Sequence, residues 1–145
     1  VSAAARVSAA DLDRLVASAQ AARANAYAPY SHYRVGAALL TQDRRIFTGC
    51  NVENATYGAT MCAERSAVAA MISGGQKVPV ACAVVTQGRE PAAPCGICRQ
   101  VLVEFAPDMR IVLASEDARG RLVARETARL SALLPHAFRF RVHPV

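Results

Sequence analysis

The sequence contains no tryptophan and only 6% aromatic residues, although 53% of it is hydrophobic. Its interior must therefore be filled by small aliphatic side chains, largely Ala, Val and Leu. Nowhere do about 18 apolar residues follow one another, so no membrane span is expected. The Ala-rich opening from Val1 to Ala10 lacks the apolar centre of a signal peptide, and residues 1–8 are expected to be loose. No run of about five or six like charges occurs, so there is no basic tail to grip a polyanion. Lys and Arg number 17 against 11 Asp and Glu, a formal +6, but the excess is scattered and is almost all arginine. A solvated basic surface explains this better than a nucleic-acid or anionic-membrane partner. A closed disulfide framework is also missing: there are five cysteines, an odd number, and three of them stand in metal-like spacing. A soluble protein of a reducing compartment, the cytoplasm, is expected.

What is present suits one compact domain of 145 residues, 1–145. Ser8-Ala9-Ala10-Asp11 has the form of a capping box, and Leu12, Leu15, Val16 and Ala19 recur at helical spacing. The spacing predicts a first helix running to about Asn25, broken by Ala28-Pro29-Tyr30-Ser31. Two apolar runs, Tyr33 to Thr41 and Arg45 to Val52, joined by Gln42-Asp43-Arg44, predict a hairpin. Gly36 within the first run marks a close backbone approach. After a loop from Glu53 to Met61, a helix is predicted over Cys62 to Ser73, stopped by Gly74-Gly75. Val80 to Thr86 has the length of a buried strand, Cys98 to Phe105 of a short helix, and Arg110 to Ser115 of another strand. Leu122-Val123-Ala124 follows a turn at Glu116 to Gly120, and Thr127 to Leu134 is predicted as a short helix. This order gives an α/β fold, a mixed sheet with helices packed on its faces.

The chemistry lies in two fragments, Cys62-Ala63-Glu64 and Pro94-Cys95-Gly96-Ile97-Cys98. The second puts two thiols on one tight turn entering a helix, close enough to chelate one ion. Zinc favours tetrahedral sulfur or imidazole ligation, and three protein ligands leave a position for water. Helix N-termini lower the cost of ionising the thiols. Zinc with three thiolates still carries a net negative charge, and Arg65 is the cation placed to offset it. A lone C-x-x-C is more often structural zinc or a redox pair. A redox pair would be entered from a strand rather than from a Pro-rich loop. A structural zinc would need a fourth ligand, and Cys50, Cys82, His32, His136 and His143 stand in no such arrangement. Cys50 and Cys82 are expected to be small buried hydrophobes. His32 lies either at a pocket mouth or on a surface loop.

C-A-E followed some thirty residues later by P-C-x-x-C resembles the cytidine deaminase superfamily, in its all-cysteine branch. The likeness extends to Ala28-Pro29-Tyr30-Ser31, Val35-Gly36-Ala37-Ala38, Gly49-Cys50-Asn51-Val52-Glu53-Asn54, Cys98-Arg99-Gln100-Val101 and Leu133-Leu134-Pro135. It implies a three-layer α/β/α fold around a mixed five-stranded sheet. It also implies one zinc ion per chain on Cys62, Cys95 and Cys98. Zinc-bound hydroxide would attack C4 of a cytosine nucleoside, with Glu64 shuttling the proton. The Ala63 N–H would bind the pyrimidine O2. Asn51 and Glu53 resemble the family's ribose contacts, and Tyr33 its base-facing aromatic, although Tyr33-Arg34 stands in place of the usual Phe-Pro. Tyr57 and Phe138 resemble residues that reach a neighbouring subunit's site, which implies a homotetramer. Past Phe138, Arg139-Phe140-Arg141 departs from the family's tail.

The implied reaction is hydrolysis of cytidine and 2′-deoxycytidine to uridine and 2′-deoxyuridine in pyrimidine salvage. A blasticidin-like or other aminopyrimidine nucleoside is an alternative substrate, against which Asn51-Val52-Glu53-Asn54 supplies plain ribose contacts. A polynucleotide deaminase would need stacking platforms and a phosphate groove, and no segment builds them. A non-catalytic zinc module or redox protein is the alternative from a different class.

Overall fold

The computed structural model describes residues 6–140. Helix α1 (Ala9–Arg23) starts at a complete capping box. Ser8 Oγ accepts from the Asp11 N–H at 3.1 Å, and the Asp11 carboxylate accepts from the Ser8 N–H at 2.8 Å. These bonds, with Arg44 beside them, hold the Asp11 carboxyl below its ordinary value. Of the eight N-terminal residues expected to be loose, 1–5 lie outside the described range. Val7 packs against the core and Ser8 caps the helix.

Strands β1 (Gly36–Thr41) and β2 (Ile46–Cys50) form the hairpin. Both are shorter than the apolar runs that announced them. The ladder changes at Asn51, whose N–H still donates to the Val35 carbonyl at 3.2 Å while its side chain takes the return bond. Oδ1 accepts from the Val35 N–H and Nδ2 donates to the Tyr33 carbonyl, both at 2.8 Å. Helix α2 (Ala63–Ser73), strand β3 (Pro79–Gln87), helix α3 (Gly96–Phe105) and strand β4 (Arg110–Glu116) follow. The third helix starts earlier than the predicted Cys98, because Cys95 takes the N-cap position.

The expected helix over Thr127 to Leu134 is corrected. Strand β5 (Leu122–Arg129) continues through Thr127, which pairs with Val112, and only Leu130–Leu133 turns into helix α4. This segment is a largely exposed sheet edge, so burial imposes no alternation of apolar and polar residues that would have marked it as a strand. The tail beyond Phe140 and His143 lie outside the described residues.

The five strands form one mixed sheet in the order β2-β1-β3-β4-β5, parallel only between β3 and β4. Successive residues of the central strands serve opposite faces. Ala38, Leu40, Ala83 and Val112 pack under Leu12, Leu15, Val16 and Ala19 of α1. Ala37, Leu39, Val84 and Leu113 pack against Ala67 and Met71 of α2 and Leu102 of α3. Two buried clusters thus sandwich the sheet, giving α/β/α layers.

Glycine sets how closely the layers approach. A Cβ on Gly36 would stand 1.9 Å from the Ala19 carbonyl oxygen, so the end of α1 lies directly on β1. The close approach read from the sequence at Gly36 is realised there. Gly49 does the same for α2: its Cβ would meet the Ala67 nitrogen at 2.3 Å and the Ala63 carbonyl oxygen at 2.5 Å. The first turn of α2 is therefore held against β2, and that turn carries the site.

Candidate active site

Cys62 is the N-cap of α2 and Cys95 is the N-cap of α3. Two helix N-termini converge, each with unsatisfied backbone N–H groups and partial positive charge aimed at sulfur. The Sγ atoms of Cys62, Cys95 and Cys98 lie within 4.8 Å of one another, and Cys62 and Cys95 are 3.9 Å apart. Tetrahedral zinc with Zn–S bonds near 2.3 Å requires sulfur separations of about 3.8 Å. The donor set and its spacing fit that ion.

Charge around Cys62 favours its thiolate. A hydrogen bond from Cys98 and the adjacent Arg65 pull the Cys62 thiol down to about 5. Cys98, which donates that bond and is itself buried, is pushed up in turn. Arg65 lies behind Cys62 rather than in the cavity. Its Nη2 donates to the Thr60 carbonyl at 2.9 Å and sits 3.8 Å from Cys62 Sγ. The C-x-x-C turn is fastened from the other side by Arg99, whose guanidinium donates to the Pro94 carbonyl at 2.6 Å and the Leu133 carbonyl at 2.7 Å. Arg99 was visible in the sequence only as part of the run after Cys98. Its clamp on Leu133, in the last helix, is a long-range contact that no local spacing encodes.

A cavity of about 290 Å³ opens beside the sulfurs. Cys62, Ala63, Glu64 and Cys95 line it together with Tyr33, Asn51 and Glu53. Glu64 is only 4% exposed, and burial, then the charge of Cys62, raises its carboxyl above the ordinary value. Ala63 is the first residue of α2, where the helix supplies no acceptor for its N–H. Glu53 accepts at one oxygen from the N–H groups of Tyr30, at 2.9 Å, and Ser31, at 3.1 Å. Asn51 spends one donor and one acceptor on the Tyr33–Val35 backbone and keeps one of each. Both side chains thus shape the loop that forms the cavity mouth.

Two predicted site residues stand apart. Tyr57 is 75% exposed, edge-on to Tyr30 with ring centroids 5.9 Å apart, and Phe138 is 71% exposed. Neither lines the cavity of its own chain. Cys82 is fully buried, as expected, whereas Cys50 is only half-buried at the end of an outer strand. His32 is exposed and adopts a left-handed φ of 56° in the mouth loop.

Sequence reading also passed over two hydroxyls. Thr86 and Ser115 are buried, and neither oxygen has a hydrogen-bond partner among the described residues. Thr86 lines the cavity. As members of apolar strands they carry no sequence signal that separates them from the core.

Residues 10–115 match the family model for the cytidine and deoxycytidylate deaminase zinc-binding region. The chain is 42% identical over 128 residues to a cytidine deaminase of Sporosarcina psychrophila, covering 88% of this chain and 91% of that protein. It is 44% identical over 128 residues to a cytidine deaminase of Mycobacterium tuberculosis, covering 88% of this chain and 90% of that one. A crystal structure of cytidine deaminase from Burkholderia pseudomallei superposes with a TM-score of 0.78 at 44% identity, covering 87% of this chain and 98% of that chain. One from Mycobacterium tuberculosis superposes with a TM-score of 0.74 at 41% identity, covering 90% and 98%.

The contact between Gly49 and α2 generates a prediction. Gly49→Ala forces a methyl into the helix backbone, which overpacking rules put at about 1–3 kcal/mol of lost stability. Urea unfolding should show that loss, and metal analysis of the purified variant should show less zinc per chain than wild type. Unchanged zinc content would mean that the α2 first turn is not held by this contact.

Proposed function

The chain belongs to the family of cytidine and deoxycytidylate deaminases, and from that premise we propose that it hydrolyses the 4-amino group of free cytidine and 2′-deoxycytidine. It is a hydrolase acting on a cyclic amidine, taking a small nucleoside and water to uridine or 2′-deoxyuridine and ammonia. The observation that carries this reading is the meeting of three sulfurs and a buried carboxyl at one cavity. Cys62, Cys95 and Cys98 would hold zinc, whose Lewis acidity makes hydroxide available from water near neutral pH.

The remaining work falls to the chain's own groups. Glu64 takes one proton from the attacking water and delivers it to N3 of the base, then carries the remaining hydroxyl proton of the C4 adduct to the amine as the C4–N bond breaks and C4=O forms. A raised carboxyl pKa favours this double duty, because a shuttle must both accept and release. The Ala63 N–H holds the pyrimidine O2 and so sets which carbon faces the metal site. Tyr33 covers the base, while the free oxygen of Glu53 and the remaining donor of Asn51 address the ribose. The cavity volume of about 290 Å³ suits a single nucleoside. No helix among the described residues is long and apolar enough to cross a membrane. All five cysteines are free thiols, in keeping with a reducing cytoplasm.

Ultraviolet assay of cytidine turnover, with zinc quantified on the same sample, tests the reading. Glu64→Gln should keep about one zinc per chain and lose at least about 100-fold in kcat, the usual scale for removing a proton-transfer group. A variant that kept its turnover would remove Glu64 from the reaction. A wild-type chain that held zinc without turning over cytidine would return the protein to the class of zinc modules.

Arg65 offsets the surplus negative charge of three thiolates on a divalent ion. Arg65→Ala should reduce kcat/KM more than it reduces the melting temperature, and equal turnover would exclude this role.

The exposed Tyr57 and Phe138 belong to a shared site in a homotetramer, each reaching a neighbouring cavity. Light scattering should give four times the chain mass of 15.4 kDa. A fully active monomer would contradict it.

A further inference from the structure

The inward face of β3 carries Cys82, Val84 and Thr86 in alternation, and the last two line the cavity. Thr86 is 2% exposed and its Oγ1 has no partner among the described residues. Leaving a buried hydroxyl unpaired costs about 1–3 kcal/mol, and buried polar atoms without partners are uncommon. A hydroxyl kept in that state on a cavity wall is accounted for when something entering the cavity completes it.

Sheet register says where Thr86 sits relative to the ribose contacts. Gly36 pairs with Cys50 on one side and Val85 on the other, so one step outward Val35 lies between Asn51 and Thr86. Across the next pair, Thr86 is registered with Ser115. The four residues Asn51, Val35, Thr86 and Ser115 form one transverse row on the α2 and α3 face. Neighbouring strands are about 4.8 Å apart, so Asn51 and Thr86 stand roughly 10 Å from each other. Ala92 and Ala93 also line the cavity and lead through Pro94 into Cys95. Thr86 therefore lies on the cavity wall two strands away from Asn51, on the same face of the sheet.

We propose that Thr86 Oγ1 is a specificity-determining group that hydrogen-bonds the polar edge of the bound pyrimidine base, two strands away from Asn51 at the sugar. This rests on the nucleoside deaminase reading and adds to it a contact from the sheet floor. An apolar residue at the same place would leave the base held only by α2 and the mouth loop.

The test is steady-state kinetics on cytidine with the zinc-loaded protein. Thr86→Val removes the hydroxyl with little change of shape, and Thr86→Ala is read beside it as a second variant lacking the group. Both should raise KM by about 3- to 10-fold, the equivalent of one net hydrogen bond, with a smaller change in kcat. Zinc content should stay at the wild-type level, and the melting temperature of Thr86→Val should be no lower than that of wild type. Thr86→Ser should restore KM. A Thr86→Val protein with wild-type KM overturns the proposal. So does a raised KM that comes with a loss of melting temperature matched by Ser115→Ala, because the two hydroxyls would then share a structural role. A wild-type chain that does not deaminate cytidine fails at the earlier step and sinks the reaction assignment, and this contact with it.

Discussion

The convergence of two helix N-termini on one point is the constraint from which the rest of the molecule follows. Thiolates are costly in a partly buried setting, and three of them within 4.8 Å repel one another. The ends of α2 and α3 supply the compensating field, and Arg65 adds a full charge 3.8 Å from Cys62. That arrangement exists only if both helices start at the right height above the sheet. Gly49 permits it for α2 by letting backbone meet backbone, and the Arg99 clamp on Pro94 and Leu133 secures it for the turn before α3. The ligand-bearing loops are thereby tied to rigid elements at both ends, as a metal site of fixed geometry requires.

The same two helix starts decide what surrounds the sulfurs. Ala63 and Glu64 follow the N-cap Cys62 directly, so an unpaired N–H and a buried carboxyl arrive in the cavity with the first ligand. Sulfur, free N–H and buried carboxyl are therefore coupled through a single helical turn. Any displacement of α2 moves all three together. The remaining part of the lining is built differently, from side chains that hold a loop. Asn51 and Glu53 each satisfy backbone groups of residues 30–35, fixing Tyr33 over the opening. One part is tied by helical bonds, and the other by polar side chains that supplement the backbone pairing.

The helix and strand order and the sulfur site could be read from the sequence because each has a short-range signature. The capping box at Ser8 and Asp11, the apolar spacing of α1, and the two cysteines of P-C-x-x-C are all local patterns. What the sequence concealed depends on distant chain segments. Thr127 to Arg129 reads as helix because an exposed edge strand has no buried face to impose alternation, and only its pairing with Arg110 to Val112 makes it a strand. Asn51 reads as a ligand contact, yet it also terminates the β1–β2 ladder, which requires knowing that Val35 lies opposite. Arg99 reaches 34 positions along the chain to Leu133.

Thr86 shows the same limit at the level of one atom. Within Ala83-Val84-Val85-Thr86 its methyl group suits the core as well as valine would, and strand periodicity treats it as one more inward residue. Only the tertiary structure distinguishes it, because the buried hydroxyl lines the cavity and has no partner among the described residues. At the C-terminal ends of the parallel pair β3 and β4 the sheet leaves its inward polar atoms without a protein partner, and that is where an α/β sheet most often receives its ligand. The unpaired hydroxyl and the paired helix ends thus have one origin. Above the ends of the parallel strands the chain presents sulfur, carboxyl and hydroxyl to whatever enters.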